Sequence, residues 1–268
     1  MAFSPIFPLS DSRKMRVALF ISGSGTNGLR IIERSMEPDS NFKVSLIFSD
    51  VKDDREKKDG TKMCRSKDIA EEYGIAYEYV DIRDFYASRG LKRTDLSIRP
   101  DFDKLVLEKL DEYDLDLIAN AGYMSIMTPV LLNRYAGRVV NVHPADLSII
   151  TDGKRKYVGI HVVEEAILAG EPEIRSTTHI VREEVDHGEM LIISAPVKVT
   201  LDVSLEELES DKKLREEVIS GYQDLLKEKG DWVIYPMTIQ MISEGRFGLG
   251  QQGVYLDGEP VPRGHRLE

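Results

Sequence analysis

The chain has one cysteine, one tryptophan and five histidines in 268 residues, and it carries no long apolar run. A lone Cys64 excludes an internal disulfide and fits a reducing compartment. No stretch approaches the roughly eighteen apolar residues of a membrane helix. The opening MAFSPIFPLSDSRK is too poor in apolar residues and too rich in proline for a signal peptide, so residues 1–14 are expected as a loose arm and the cytoplasm as the location. Positive charge is also short. Against 47 acidic residues stand 36 Lys and Arg, a net charge of −11. That balance argues against broad binding of nucleic acid, which needs a basic face, and leaves room only for a local pocket for one small phosphate. No Cys/His cluster has the spacing of a metal site, and no G-x-S-x-G elbow is present.

What is there reads as a globular α/β protein. With 41% apolar and 31% charged residues the chain has ample material for a core. No internal repeat, low-complexity tract or linker interrupts it, so residues 15–268 are expected as a single domain. Arg16 to Ile21 is a continuous apolar run, the mark of a buried strand. Further strands are expected at 42–48, 77–80, 115–119 and 139–143. Helices are expected at 62–73, 101–113, 128–137 and from 161 to 169, while residues 84–100 look polar and irregular. This alternation predicts a doubly wound, mainly parallel, Rossmann-like sheet. Two β-rich segments (176–182 and 190–199), a charged helical stretch (203–229), a helix (232–243) and a closing hairpin (248–258) form a C-terminal β/α extension.

Two spots carry chemistry. Between the first strand and its helix lies Ser22-Gly-Ser-Gly-Thr-Asn27, a turn that gathers free backbone N–H groups at a helix start and so makes an anion site. Gly23-Ser-Gly25-Thr-Asn-Gly28 also fits the dinucleotide pattern, with Asp50 available as its acidic residue, which keeps an NAD-binding oxidoreductase open as a reading. At the other spot, Val139-Val-Asn-Val-His-Pro144, strand alternation turns Asn141 and His143 to one face. Ligands of open parallel sheets lie beyond the carboxyl ends of the strands, which is where that pair falls. An ordinary polar strand end is the competing reading.

With Ser22-Gly-Ser-Gly-Thr-Asn27, Asn141-Val-His143-Pro and Asp186-His-Gly188 in that order, the chain resembles the folate-dependent formyltransferases. Ala121-Gly-Tyr-Met124, Tyr135-Ala-Gly-Arg138, Ile234-Tyr-Pro236, Glu244-Gly-Arg246 and Leu256-Asp-Gly258 extend the resemblance over residues 15–263. It implies formyl transfer from the co-substrate 10-formyltetrahydrofolate to the primary amine of glycinamide ribonucleotide in purine biosynthesis, with no metal. It implies a catalytic set of Asn141, His143 and Asp186, and a phosphate cradle at Gly25, Thr26 and Asn27. It also implies an amine-side contact at Asp231, and folate contacts at Arg99, Met124, Ile126, Met127, Glu184 and Val185. The expected partners are small molecules, not nucleic acid or membrane, and a homodimer is compatible with the sequence.

The chain departs from the family pattern in places. The path from His143 to Gly159-Ile-His161 is longer by several residues and holds Lys154-Arg155-Lys156, read as a lid, a substrate contact or a solvated loop tip. Ser125 stands for a usual arginine, and Asp231-Trp232 for a Glu-His pair. These changes keep other readings open: a different small amine as acceptor, hydrolysis of the formyl donor, or a non-catalytic folate or nucleotide binder. His161 and His179 read as structural histidines.

Overall fold

The computed structural model describes residues 3–9 and 13–268. They form a mixed α/β fold with a mostly parallel central sheet, and the chain divides into two compact units. One unit comprises Pro5–Asn141 and Ile239–Gly245; the other comprises Val142–Thr238, Arg246–Glu268 and the chain before Pro5.

In the first unit Met15–Phe20 is the central strand. It pairs in parallel with Phe42–Ser49 on one side and with Leu117–Asn120 on the other. Ala76–Tyr79 pairs in parallel with Phe42–Ser49, and residues 139–141 pair in parallel with Leu117–Asn120. The apolar runs follow from this placement, because a strand covered on both faces has no polar side to show. Val17, Ala18, Leu19, Phe20 and Ile21 are accordingly wholly buried. The chain winds outward one way from Met15–Phe20 and then returns to build the other side, so the order reverses at that strand. Such a reversal opens a crevice at the carboxyl ends. The glycine-rich turn 22–27 leaves the sheet at this switch point, held by the Ser22 amide donating to the Gly122 carbonyl at 3.1 Å.

The polar stretch 84–100, expected to be irregular, begins inside a short helix, Ile82–Ala87. Asp81 caps it, accepting from the Asp84 amide at 2.8 Å, and also binds Arg55 at 2.9 Å. Burial works against the Asp81 charge, but those donors and the Lys52 amide hold its carboxyl below the usual range. An aspartate ahead of Ile-Arg-Asp is a recognisable cap signal. Thr128 stands at the cap position of Pro129–Arg134, yet its hydroxyl donates to Asp103 at 2.7 Å instead.

In the second unit Thr177–Ile180 runs antiparallel to Met190–Ile193, which pairs in parallel with His265–Arg266. The long path after His143 folds as a small hairpin, Ile150–Thr151 with Lys154–Arg155. The charged stretch 203–229 becomes Leu205–Ser210, opened by a Ser204/Glu207 capping box, and Lys212–Leu226. Its outer face is charged, whereas Leu208, Ile219 and Leu226 pack on Val162, Val163, Ala166 and Ile167. Within the expected arm, Phe3–Pro5 is a strand joined to Phe247–Gly250, and the Phe3 ring stacks on Tyr255 at 5.2 Å. The remainder of that expected arm includes residues 1–2 and 10–12, which lie outside the described residues.

Candidate active site

The strand Val139–His143 ends on His143, whose side chain is almost wholly buried. Its Nε2 lies 3.1 Å from the Tyr157 carbonyl oxygen. A carbonyl only accepts, so Nε2 carries the proton and Nδ1 keeps its lone pair. That Nδ1 faces Asp186 Oδ2 at 3.5 Å. The same oxygen accepts the Gly159 amide at 2.9 Å. The other carboxylate oxygen, Oδ1, lies 3.5 Å from His179 Nε2. His179 in turn donates its Nδ1 proton to the Ile180 carbonyl at 2.9 Å. The Asp186 carboxylate thus lies between two imidazoles, whose rings meet edge to face at 6.5 Å.

Local geometry explains why Asp186 arrives there. Thr177–Ile180 and Met190–Ile193 are two arms of a hairpin, and the loop between them must turn back sharply. Asp186 makes that turn with φ of 57°, the left-handed region that Asp and Asn tolerate better than most residues. Two residues on, a Cβ on Gly188 would lie far inside van der Waals contact of the Ile180 carbonyl oxygen, so only glycine passes.

Electrostatics follow from burial and neighbours. Burial disfavours the Asp186 charge, but His179, His143 and the Gly159 amide outweigh it and hold the carboxyl below its usual range. For His143 burial prevails: it lowers the proton affinity, His179 lowers it further, and the pull of Asp186 only partly restores it. The resting imidazole is therefore neutral near pH 7. It is ready to accept a proton on the nitrogen that Asp186 would then stabilise.

The other expected residues fall as follows. Asn141 lies two positions before His143 on the same strand, in register with Asn120 of the neighbouring strand. Glu184 and Val185 are exposed on the Asp186 loop. Asp231 closes a π-helical turn, Lys227–Asp231, and is buried with the Ser176 hydroxyl donating to it at 2.6 Å. In the first unit, Gly25 has φ of 71° and precedes Thr26–Ser35, whose first turn has no side-chain cap. Thr26 and Asn27, the residues expected with Gly25 as a phosphate cradle, open that helix and are half-buried. Arg99 is buried against Tyr86 and Phe102, and among the described residues its Nη1 has no hydrogen-bond partner. Met124 and Ile126 expose apolar surface, whereas Met127 is buried in the core.

Asp50 does not stand free for a ribose. Ser22 donates to its Oδ1 at 2.6 Å and Ser125 donates to its Oδ2. The oxidoreductase reading loses its acidic residue to these two serines. Burial pushes the Asp50 carboxyl up despite both hydroxyls. A carboxyl with a raised folded pKa favours folding below its unfolded pKa, and that contribution is lost as pH rises through the folded value. Asp50→Asn removes the dependence. The melting temperature of the variant relative to the parent should therefore climb between pH 4 and pH 7; a constant difference contradicts this environment for Asp50.

Known proteins resemble this chain over most of its length. A family described as formyl transferase matches residues 15–224. The chain belongs to the formyl transferase family. It is 30% identical over 248 residues to phosphoribosylglycinamide formyltransferase of Haemophilus influenzae, covering 92% of this chain and 96% of that one. The Escherichia coli protein of the same name is 27% identical over the same shares, 92% and 96%. A solved structure of the Coxiella burnetii phosphoribosylglycinamide formyltransferase shares the fold, with a TM-score of 0.67 and 24% identity over 96% of this chain and all of that one (100%).

For this formyltransferase, sequence reading set His179 aside as structural, yet it touches the same carboxylate as His143. The available signal was its place on the strand that leads directly into the Asp186 loop. Arg155 belongs to the basic run expected as a lid, a substrate contact or a solvated loop tip. Its guanidinium in fact donates to the Asp186 carbonyl, and to the Gly188 carbonyl at 2.9 Å.

Proposed function

We propose that this formyltransferase moves the formyl group of 10-formyltetrahydrofolate onto the primary amine of glycinamide ribonucleotide, as a purine-biosynthetic enzyme of the cytoplasm acting on these two small molecules. The observation that carries the reading is the Asp186 carboxylate set between His143 and His179. Support comes from the likeness to phosphoribosylglycinamide formyltransferases over nearly the whole of both chains.

When the amine attacks the formyl carbon, the carbonyl oxygen gains negative charge and the nitrogen becomes acidic. The Asn141 amide is the donor for that oxygen, an interaction worth on the order of 3 kcal/mol of barrier. His143 takes the nitrogen's proton on Nδ1, and Asp186 stabilises the imidazolium that results. The proton then passes to the departing folate nitrogen as its bond to the formyl carbon breaks. No proton is gained or lost overall. The folate fits the residues present: Arg99 has a buried, unpaired Nη1 for an acceptor group, and Met124 and Ile126 offer apolar surface. Gly25, Thr26 and Asn27 hold the substrate phosphate on the leading amides of their helix. Asp231 supplies negative charge on the amine side.

Mixing the protein with both substrates tests the reading. Tetrahydrofolate should appear only when glycinamide ribonucleotide is present, in equal amount to the formylated product. Formate release without the acceptor, or no turnover by intact protein, would overturn it. Thr26→Glu should raise KM for the phosphorylated substrate through like-charge repulsion, with kcat little changed. An unchanged KM would remove the cradle from these residues.

A further inference from the structure

We propose that Arg155, on the hairpin that lengthens the path from His143 to Gly159, is a positioning residue that holds Asp186 in its working place. The inference deepens the formyl-transfer reading and rests on it for its kinetic arm.

Three observations on one segment carry it. Arg155 Nη1 donates to the Asp186 carbonyl, and Nη2 donates to the Gly188 carbonyl at 2.9 Å. The planar fork of a guanidinium suits two acceptors of fixed spacing, which a single ammonium cannot satisfy in the same way. The first of these carbonyls belongs to Asp186 itself, which has φ of 57°. A non-glycine residue held in the left-handed region costs free energy and persists only where surrounding bonds enforce it. Two residues further along, the Tyr157 carbonyl accepts from His143 Nε2 at 3.1 Å. One short segment therefore braces the backbone of the carboxylate and fixes the tautomer of the imidazole facing it.

The hairpin strand Lys154–Arg155 pairs with Ile150–Thr151, which gives the brace a base of its own. Arg155 lies in the field of Asp186, Glu184 and Glu189, so its charge is attracted to the same loop that its N–H groups bind. The side chain is part-buried among these groups, unlike the solvated tip its basic neighbours imply.

The Gly159 amide reports on the carboxylate without any substrate, because it donates to Asp186 Oδ2 at 2.9 Å. In Arg155→Ala, exchange of that amide with solvent deuterium should quicken by about tenfold or more, while amides of Met190–Ile193 keep their protection. With both substrates, kcat should fall about 10- to 100-fold with each KM near its original value, as expected when a catalytic group is misplaced by an ångström or less. Arg155→Lys keeps the charge without the two-pronged bridge, and should recover only part of kcat and of Gly159 protection. Unchanged Gly159 exchange in Arg155→Ala overturns the proposal, as does a kcat within twofold of the parent. So does full recovery of both readouts by lysine, which would make charge alone sufficient. If the intact protein fails to transfer formyl at all, the functional reading falls, and the exchange measurement alone decides whether Arg155 positions Asp186.

Discussion

Replacing His143 with alanine is expected to lower kcat by about 10²- to 10⁴-fold, the usual worth of a positioned proton-transfer group. The imidazole is neutral at rest yet has a carboxylate set to stabilise its protonated form. The variant also leaves the Tyr157 carbonyl without its donor, at a cost of about 1–3 kcal/mol. That loss falls within the roughly 5–15 kcal/mol by which domains are stable, so the protein stays folded at 25 °C. Kinetics paired with thermal melts separate the two effects. Asn141→Ala and Asp186→Ala should likewise remove most turnover, and near-parent rates in any two of the three would place the site elsewhere.

The same residue governs the acid side of the pH profile. Protonation of His143 removes the lone pair that accepts the substrate proton. Because burial lowers its affinity below the ordinary imidazole value of 6.5, activity should persist through pH 6.5 and fall only below it. Asp186, held below the usual carboxylate range, stays ionised across that window. Removing its charge takes away the influence that raises the His143 pKa, so any residual activity of Asp186→Asn should have its acid limb moved to lower pH. A limb moved upward contradicts the pairing.

The second large effect is expected from Gly188→Ala. The added Cβ would overlap the Ile180 carbonyl oxygen, and a backbone atom inside a strand cannot swing aside as a side-chain tip does. The loop must shift, and the carbonyl of residue 188 that binds Arg155 shifts with it. Overpacking of this kind costs about 1–3 kcal/mol and sometimes more. Here it also displaces Asp186, so kcat should drop by about 100-fold alongside the fall in melting temperature. Gly159→Ala provides the contrast. Its φ of 96° strains any side chain, but no atom lies within 4 Å of the added Cβ. It should cost stability with a smaller effect on kcat. Equal rates for Gly188→Ala and the parent would show that the close approach to Ile180 does not set the position of the loop.

Much of this was legible in the sequence. Strands covered on both faces leave unbroken apolar runs, so the parallel sheet and its glycine turn were readable from Arg16 to Asn27. That Asn141 and His143 share one strand was readable from the apolar run that leads into Pro144. Asp186 was not derivable from spacing. It entered through the resemblance, and the structure supplies its left-handed turn and its two imidazole neighbours. What stayed hidden depends on pairing across the chain. His179 meets a carboxylate that only the hairpin brings back to it, and Arg155 meets carbonyls 31 and 33 residues away, which no periodicity encodes. Asp50 looked free for a ribose because the two serines that bind it lie 28 and 75 residues distant. Met127 was grouped with Met124 and Ile126 by adjacency, although its side chain is buried while theirs are exposed.

The central claim is that Asp186 electrostatically supports a buried His143. An NMR titration of the histidine imidazoles, in the parent and in Asp186→Asn, measures it most directly. The claim predicts that His143 titrates below 6.5 in the parent and lower still in the variant. An unchanged or higher His143 pKa in Asp186→Asn would contradict it.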